Sequence, residues 1–379
     1  MVSTCSITLK TFLLPYARFF RSKGWIVDAM ASGVNDCAGC KEAFDNTYNV
    51  TWSRDPIDFQ NLQAVETVRS TVNDGGYDIV HVHTPVASFL TRFALRKNRG
   101  KVKIKIIYTA HGFHFHQRGN FLKNYIFVTL ERLAGKWTDC LVVINRDDEE
   151  AARKLGIIQP HRLFYMPGIG VDTTFYSQDR VAPSDIEKIR NDLKLNSSDK
   201  LLLMIAEFNP EKRHIDALKA LHLLNRHDVH LAFAGTGPSM KSVKERSKEM
   251  DIEKRVHFLG FREDIPQLIC ASQVVLLPSE REGLPRSVME AQCLGVPVVG
   301  YDIRGLRDLL SGGSGVLVPV RDIHALSAAI QSLIENSTAA LEMGERGRKQ
   351  MNIYDIKNII GLHEKLYETA LGDCSRVDS

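Results

Sequence analysis

Two carboxylates, Glu282 and Glu290, stand with seven residues between them in a stretch that runs Val-Val-Leu-Leu-Pro-Ser-Glu-Arg-Glu-Gly-Leu-Pro-Arg-Ser-Val-Met-Glu-Ala from Val274. A carboxylate accepts paired hydrogen bonds from a diol, such as the hydroxyls of a ribose or a hexose. Gly283 lets backbone come close to a ligand. The segment Leu284, Pro285, Arg286, Ser287 opens a helix, and N–H groups at such an opening suit phosphate oxygens. One site of this kind can hold sugar, diphosphate and ribose together. The competing reading is local: Glu290 complements a helix N-terminus and Glu282 is a solvated loop charge. The bare spacing does not choose between them.

The elements that must position these groups are legible around them. The apolar run Val274 to Leu277 reads as a buried parallel strand. Pro285 fits the first turn of a helix, Ser287 to Leu294 continues it, Gly295 stops it, and Val296 to Gly300 is the next strand. The same alternation recurs along the chain. Tyr77 to Pro85 and Lys103 to Thr109 read as parallel strands with a helix near 86–97 between them, and Leu141 to Asn145 as another strand. Leu201 to Ala206, His230 to Pro238 with the turn glycine Gly235, Val256 to Phe261 with Gly260 at its end, and Gly315 to Pro319 read as strands of the second half. Strand ends in such sheets face the ligand crevice, which places His111 and the loop carrying Lys212 and Arg213 there. His111, His114 and His116 alternate, but no carboxylate completes a ligand set, and the polar-loop reading is preferred to a metal site.

Composition bounds the rest. At 379 residues, with 44% hydrophobic and 25% charged side chains, the chain is a globular one of two domains. No apolar run approaches the ~20 residues of a membrane-spanning helix, and Lys10, Arg18 and Arg21 interrupt the N-terminal apolar segment where a signal peptide would need continuity. Seven scattered cysteines suit a reducing cytoplasm. Cys37-x-x-Cys40 has no second pair or histidine couple, and neither metal nor redox chemistry is expected of it. The net charge of +4 divides unevenly: residues 1–175 hold 22 Lys and Arg against 16 Asp and Glu, the remainder 27 against 29. A basic first half points to nucleic acid, an anionic membrane or a pyrophosphate-bearing partner, and no nucleic-acid motif accompanies it. Phe12 to Trp25 reads as a short helix closed by Gly24. It is either a core helix with a basic edge or an interfacial helix with aromatics at headgroup level and Arg18 and Arg21 on anionic lipid. Phe121 to Ala134 is an aromatic-rich helix, with Arg118 and Lys123 adding basic charge beside His111.

The pattern Ser279-x-x-Glu282-Gly283-x(6)-Glu290-Ala291-x(3)-Gly295-x-Pro297-Val298-Val299 resembles the retaining glycosyltransferases of family 4. Glu-Gly-Leu-Pro-Arg-Ser and the later Arg304-Gly305-Leu306-Arg307-Asp308 look like the bacterial branch that builds capsule, exopolysaccharide or lipid-linked oligosaccharides. The resemblance implies the GT-B fold: two doubly wound, Rossmann-like α/β domains facing each other across a cleft. It divides the chain into an acceptor-binding domain at 1–170 and a nucleotide-sugar-binding domain at 171–352, with a returning helix and tail at 353–379. Tyr165 to Asp172 looks like the family's hinge. Carried over residue by residue, His111 contacts the donor hexose, Lys212 grips the donor diphosphate, Glu282 binds the hexose and Glu290 the ribose. Gly260 and Phe261 hold the nucleotide base through backbone contacts. Glu207 stands where the family usually has an arginine, and Arg213 is the candidate replacement. The usual first strand is represented only by Val2-Ser3-Thr4, with no glycine-rich turn after it.

The implied activity is retaining transfer of a hexose or N-acetylhexosamine from a UDP-sugar to a polyprenyl-diphosphate-linked sugar, without a divalent metal or other cofactor. The implied place is cytoplasmic, peripheral on the inner face of the plasma membrane, with the anionic membrane surface as a partner. A nucleotide-sugar epimerase and a non-catalytic sugar-nucleotide binding protein of the same fold are the alternatives.

Overall fold

The computed structural model describes residues 1–53, 58–97, 104–115 and 119–372. Lys103, His116 and Arg118, which entered the sequence reading, lie outside the described residues. The chain divides into two compact units, one formed by Met1–Ile169 with the chain from Asn358 onward, the other by Gly170–Lys357.

The first unit carries seven strands: β1 (Val2–Cys5), β2 (Ala29–Ser32), β3 (Thr47–Asn49), β4 (Ile79–Val82), β5 (Lys105–Ala110), β6 (Cys140–Val143) and β7 (Leu163–Tyr165). They pair in the order β3-β2-β1-β4-β5-β6-β7, and every pair is parallel. The second unit carries β8 (Lys200–Ile205), β9 (Val229–Ala234), β10 (Val256–Gly260), β11 (Val274–Leu277), β12 (Val298–Tyr301) and β13 (Val316–Val318). Its order is β10-β9-β8-β11-β12-β13, again all parallel. A parallel sheet is covered by helices on both faces, which is why its strands read as continuous apolar runs. Leu201 to Met204 and Val274 to Leu277 are buried along their whole length. Each fully buried side chain of this size contributes about 1.5–3 kcal/mol.

Five helices bear on function: α1 (Leu14–Ser22), α2 (Phe121–Gly135), α3 (His214–Leu224), α4 (Arg286–Cys293) and α5 (Ile356–Leu371). Helix α4 runs from Arg286 to Cys293, with Pro285 in the N-cap position rather than inside the first turn. Helix α5 begins at Ile356 rather than Ile353, because Met351–Tyr354 forms a separate 3-10 turn. The N-terminal helix differs most from expectation. Helical turns start at Ser6, widen to π geometry over Leu9–Leu13 and run on into α1. Tyr16, Ala17 and Phe20 of α1 are buried. Tyr16 packs edge-on against His363, and Phe20 lies against Tyr367, both on α5. Arg18 pairs with Glu42 and Arg21 with Asp45. Tyr16, Ala17 and Phe20 thus follow the core-helix reading, with Arg18 and Arg21 on its basic edge beside Glu42 and Asp45.

Cys37, left without chemistry by the sequence reading, is joined to Cys40 as a disulfide at the start of the helix Ala38–Ala43. Among the described residues no helix is long and apolar enough to cross a membrane.

Candidate active site

In the second unit the strand order turns between β8 and β11, with β9 and β10 on one side and β12 and β13 on the other. Loops that leave adjacent strands in opposite directions open a crevice at the strand carboxyl ends. The loop after β8 brings Lys212 and the loop after β11 brings Glu282. The backbone of Glu280 donates to the Glu211 carbonyl at 2.9 Å, tying the two loops together. Lys212 Nζ donates to Glu282 Oε1 at 2.6 Å, with only 23% and 10% of the two side chains left exposed. Asn209 caps the 3-10 turn Pro210–Lys212 by accepting from the Lys212 N–H at 3.2 Å, which fixes the backbone that carries the lysine.

The later motif closes on the same loop. Arg304 Nε donates to the Glu282 carbonyl at 3.2 Å. A Cβ on Gly305 would sit 2.1 Å from the Gly283 carbonyl oxygen, so only glycine allows this approach. Leu284 is half-buried and Pro285 buried, and no side chain caps the start of α4. One turn into α4, Glu290 is buried and ion-pairs with Arg286 at 2.9 Å. The Tyr176 hydroxyl also hydrogen-bonds it. Burial raises the Glu290 pKa above the usual carboxylate range, against the opposing pull of Arg286 and Tyr176. The two carboxylates thus lie in one strand–loop–helix unit but hold different partners.

Arg213, the candidate replacement for the cation absent at Glu207, is already engaged. Asp216 grips its guanidinium through two oxygens, each bond 2.9 Å long, and Glu280 lies 3.5 Å away. Asp216 is buried and also accepts from the Tyr301 hydroxyl at 2.7 Å. Glu207 is exposed and accepts from Asn209 Nδ2 at 3.1 Å. Beside these loops the Gly235 N–H donates to the Gly260 carbonyl at 2.7 Å. Gly235 has φ +149°, and a Cβ there would lie 2.0 Å from the Ala206 oxygen. Phe261, just past Gly260, is exposed.

In the first unit His111 follows β5 and His83 follows β4. His83 Nδ1 and His111 Nε2 are 3.3 Å apart with the rings stacked. His81 bridges Tyr367 at 2.5 Å and Thr109 at 2.8 Å. Burial depresses all of these imidazoles, His111 to about 4, so His111 is neutral at ordinary pH. Among the described residues no group of three or more His, Cys, Asp or Glu side chains could hold a metal ion.

Asp216, Glu280, Tyr176 and His83 were missed by sequence reasoning. Asp216 was within reach, because a carboxylate three residues after an arginine at a helix start faces it. The others depend on contacts far apart in sequence.

With this geometry in place, comparison with known proteins is informative. Residues 11–175 match the family described as Glycosyltransferase Family 4, and residues 185–350 match Glycosyl transferases group 1. The chain is 32% identical over 352 residues to the Bacillus subtilis (strain 168) protein named "Putative glycosyltransferase EpsD", covering 92% of this chain and 90% of that one. It is 27% identical over 297 residues to the Escherichia coli UDP-Gal:alpha-D-GlcNAc-diphosphoundecaprenol alpha-1,3-galactosyltransferase, covering 77% of this chain and 75% of that one. In fold it is similar to Anabaena HepE solved in complex with UDP: TM-score 0.78, 19% identity, 97% of this chain and 98% of that one covered.

Proposed function

The chain belongs to the family 4 glycosyltransferases, with the GT-B fold, and from that premise we propose retaining transfer of a hexose or N-acetylhexosamine from a UDP-sugar to a polyprenyl-diphosphate-linked sugar in bacterial surface polysaccharide synthesis. The observation that carries this reading is the Lys212–Glu282 pair, set at the turning point of the second sheet beside the start of α4. A cation, a carboxylate and a helix N-terminus at one crevice match a substrate made of a diphosphate and a sugar. What the Escherichia coli relative is named for supports the reading of a UDP-sugar donor and a lipid-linked acceptor, and the UDP bound in HepE agrees with the donor.

On this reading the donor diphosphate takes Lys212 from Glu282, and the released carboxylate accepts hydroxyls of the hexose. Glu290 accepts the ribose diol. Charge developing on the leaving diphosphate is met by Lys212 and by the N–H groups that open α4, fixed donors that need no reorganisation and no divalent ion. The bond from the anomeric carbon to the phosphate oxygen breaks as the acceptor hydroxyl attacks from the same face. The hydroxyl proton passes to the departing phosphate oxygen. The neutral imidazole of His111 is suited to exchange hydrogen bonds with a sugar hydroxyl, and the first unit takes the acceptor. Gly283, Leu284, Pro285 and Arg286 shape the phosphate side, and Gly235, Gly260 and Phe261 the base side.

The deciding experiment incubates the purified protein with a panel of UDP-sugars, with and without an undecaprenyl-diphosphate-linked sugar. Product that forms only with acceptor, with the donor's anomeric configuration kept, is the expected result. Turnover to an isomeric UDP-sugar without acceptor would replace this reading with an epimerase. No binding of any UDP-sugar would end it.

A further inference from the structure

His83 is a buried imidazole that the reaction scheme leaves unused. The run Ile79-Val80-His81-Val82-His83 alternates apolar and imidazole side chains, so His81 and His83 share one face of β4 and its end. Thr109 and His111 stand two apart in the same way at the end of β5. β4 and β5 pair in register, His81 opposite Ile107, and this alternation brings the four side chains together. His81 Nε2 lies 2.8 Å from the Thr109 hydroxyl. His83 Nδ1 lies 3.3 Å from His111 Nε2.

The surroundings hold His83 in place. It is only 2% exposed, its ring lies 4.1 Å from that of His81 between centroids, and its backbone N–H donates to the Val2 carbonyl at 2.9 Å. His81 is clamped in turn between Thr109 and the Tyr367 hydroxyl. His363 of α5, whose Nδ1 donates to the Ile359 carbonyl at 2.9 Å, stacks 5.8 Å from His81. Of the four imidazoles only His111 keeps surface exposure; the others are buried.

Burial keeps His83 well below the ordinary histidine pKa and His111 down at about 4, so both rings are neutral. A neutral imidazole has one donor and one acceptor nitrogen. The contact between His83 and His111 therefore runs in one direction only. The far side of His83 selects it. His83 Nε2 is buried and has no hydrogen-bond partner among the described residues. Were His83 the acceptor, Nε2 would carry the proton as a buried N–H with nothing to receive it. With His83 as donor, Nε2 is a bare acceptor, and an orphaned buried N–H is the rarer of the two. The hydrogen bond at one ring nitrogen sets the proton on the other. We infer that His83 is a positioning residue: its Nδ1–H donates to His111 Nε2, fixing His111 as the Nδ1–H tautomer and so as a hydrogen-bond donor toward the sugar. A histidine side chain free in water prefers Nε2–H, so His83 imposes a form that His111 would not take alone. This deepens the proposed function and rests on it for the sugar at His111; the tautomer is a property of the protein without substrate.

The test is two-bond proton–nitrogen correlation spectroscopy on the full chain carrying ¹⁵N-labelled histidine, which separates the Nδ1–H, Nε2–H and imidazolium forms. Signals lost in His111→Asn and His83→Phe assign the two rings. In the wild type near neutral pH both should be Nδ1–H. His83→Phe keeps an aromatic ring in the stack and removes the donor. There His111 should revert to Nε2–H, and kcat/KM for the UDP-sugar should fall roughly 2- to 10-fold, the scale of one neutral hydrogen bond. His83→Asn, whose amide nitrogen is attached to Cγ as Nδ1 is, should restore both the tautomer and the rate. A filler of the core would not move the tautomer. Wild-type His111 in the Nε2–H or imidazolium form overturns the inference, as does Nδ1–H retained in His83→Phe. An unchanged rate once the tautomer has switched overturns the positioning role. If wild-type His111 is Nδ1–H under the control of His83 yet the protein transfers no sugar to any acceptor, the functional reading fails and the His83 assignment stands.

Discussion

Lys212 and Glu282, seventy residues apart in sequence, form a 2.6 Å ion pair in the part-buried crevice between the loops after β8 and β11. Each is the other's partner. On the proposed reading, donor binding exchanges this pair for two new contacts, one to phosphate and one to sugar. Lys212→Ala should lower transfer by about 100-fold or more, the scale for losing a preorganised charge on a developing anion. Rates at saturating UDP-sugar measure this, and a near wild-type rate would refute the role.

The same pair predicts non-additive stability. Removing one partner leaves a shielded charge unmatched, whereas replacing both leaves none. The thermal destabilisation of Lys212→Met with Glu282→Gln should be clearly smaller than the sum of the single variants, by ~0.5–3 kcal/mol of coupling. Additive losses in calorimetric melts would mean the pair contributes nothing to the fold.

The two carboxylates should separate in UDP binding. Glu290→Gln should weaken UDP by roughly 1.5–3 kcal/mol for each charged hydrogen bond lost, while Glu282→Gln should leave UDP affinity nearly unchanged and slow transfer. Isothermal calorimetry decides it, and equal UDP losses in both would show that the carboxylates act together on the loop.

The pH dependence of UDP binding follows from Glu290. Its pKa is raised, burial being the main cause. Only the ionised form accepts both hydrogen bonds of a diol. Affinity should therefore be full above the raised pKa and decline as pH falls through it, earlier than for an ordinary carboxylate. Glu290→Gln should flatten that acid limb, and an unchanged limb would place its origin elsewhere. His111, held down to about 4 by burial, stays neutral across the physiological range. An inflection near ~6.5 that disappears in His111→Asn would contradict this.

Metal dependence is the simplest check on the charge scheme. Transfer should persist in excess EDTA, because Lys212 and the start of α4 supply the positive potential. Activity abolished by EDTA and restored by Mn²⁺ or Mg²⁺ would replace that scheme with a metal-assisted one.

The sequence by itself determined what depends on neighbours along the chain. Leu201 to Met204 and Val274 to Leu277 are strands because unbroken apolar runs suit a sheet covered on both faces. Gly295 ends a helix because it takes φ +65° without strain. The Glu282–Glu290 spacing put both carboxylates into one strand–loop–helix unit. Tertiary structure alone decided how the charges are matched and which faces are covered. The three-residue spacing offers Asp216 to Arg213, but nothing local shows that Tyr301, 85 positions away, holds Asp216 or that Glu280 approaches the same guanidinium. Nothing local distinguishes α1 from α2 either, since both mix aromatics with cations. The fold separates them because α5 packs on Tyr16 and Phe20, whereas the Arg92–Glu131 pair turns the other side of α2 inward and leaves Phe121, Leu122, Tyr125 and Ile126 bare. An amphipathic pattern records that a helix has an apolar face. Whether that face meets the core or the surroundings is set by long-range packing, which residues adjacent in sequence do not encode.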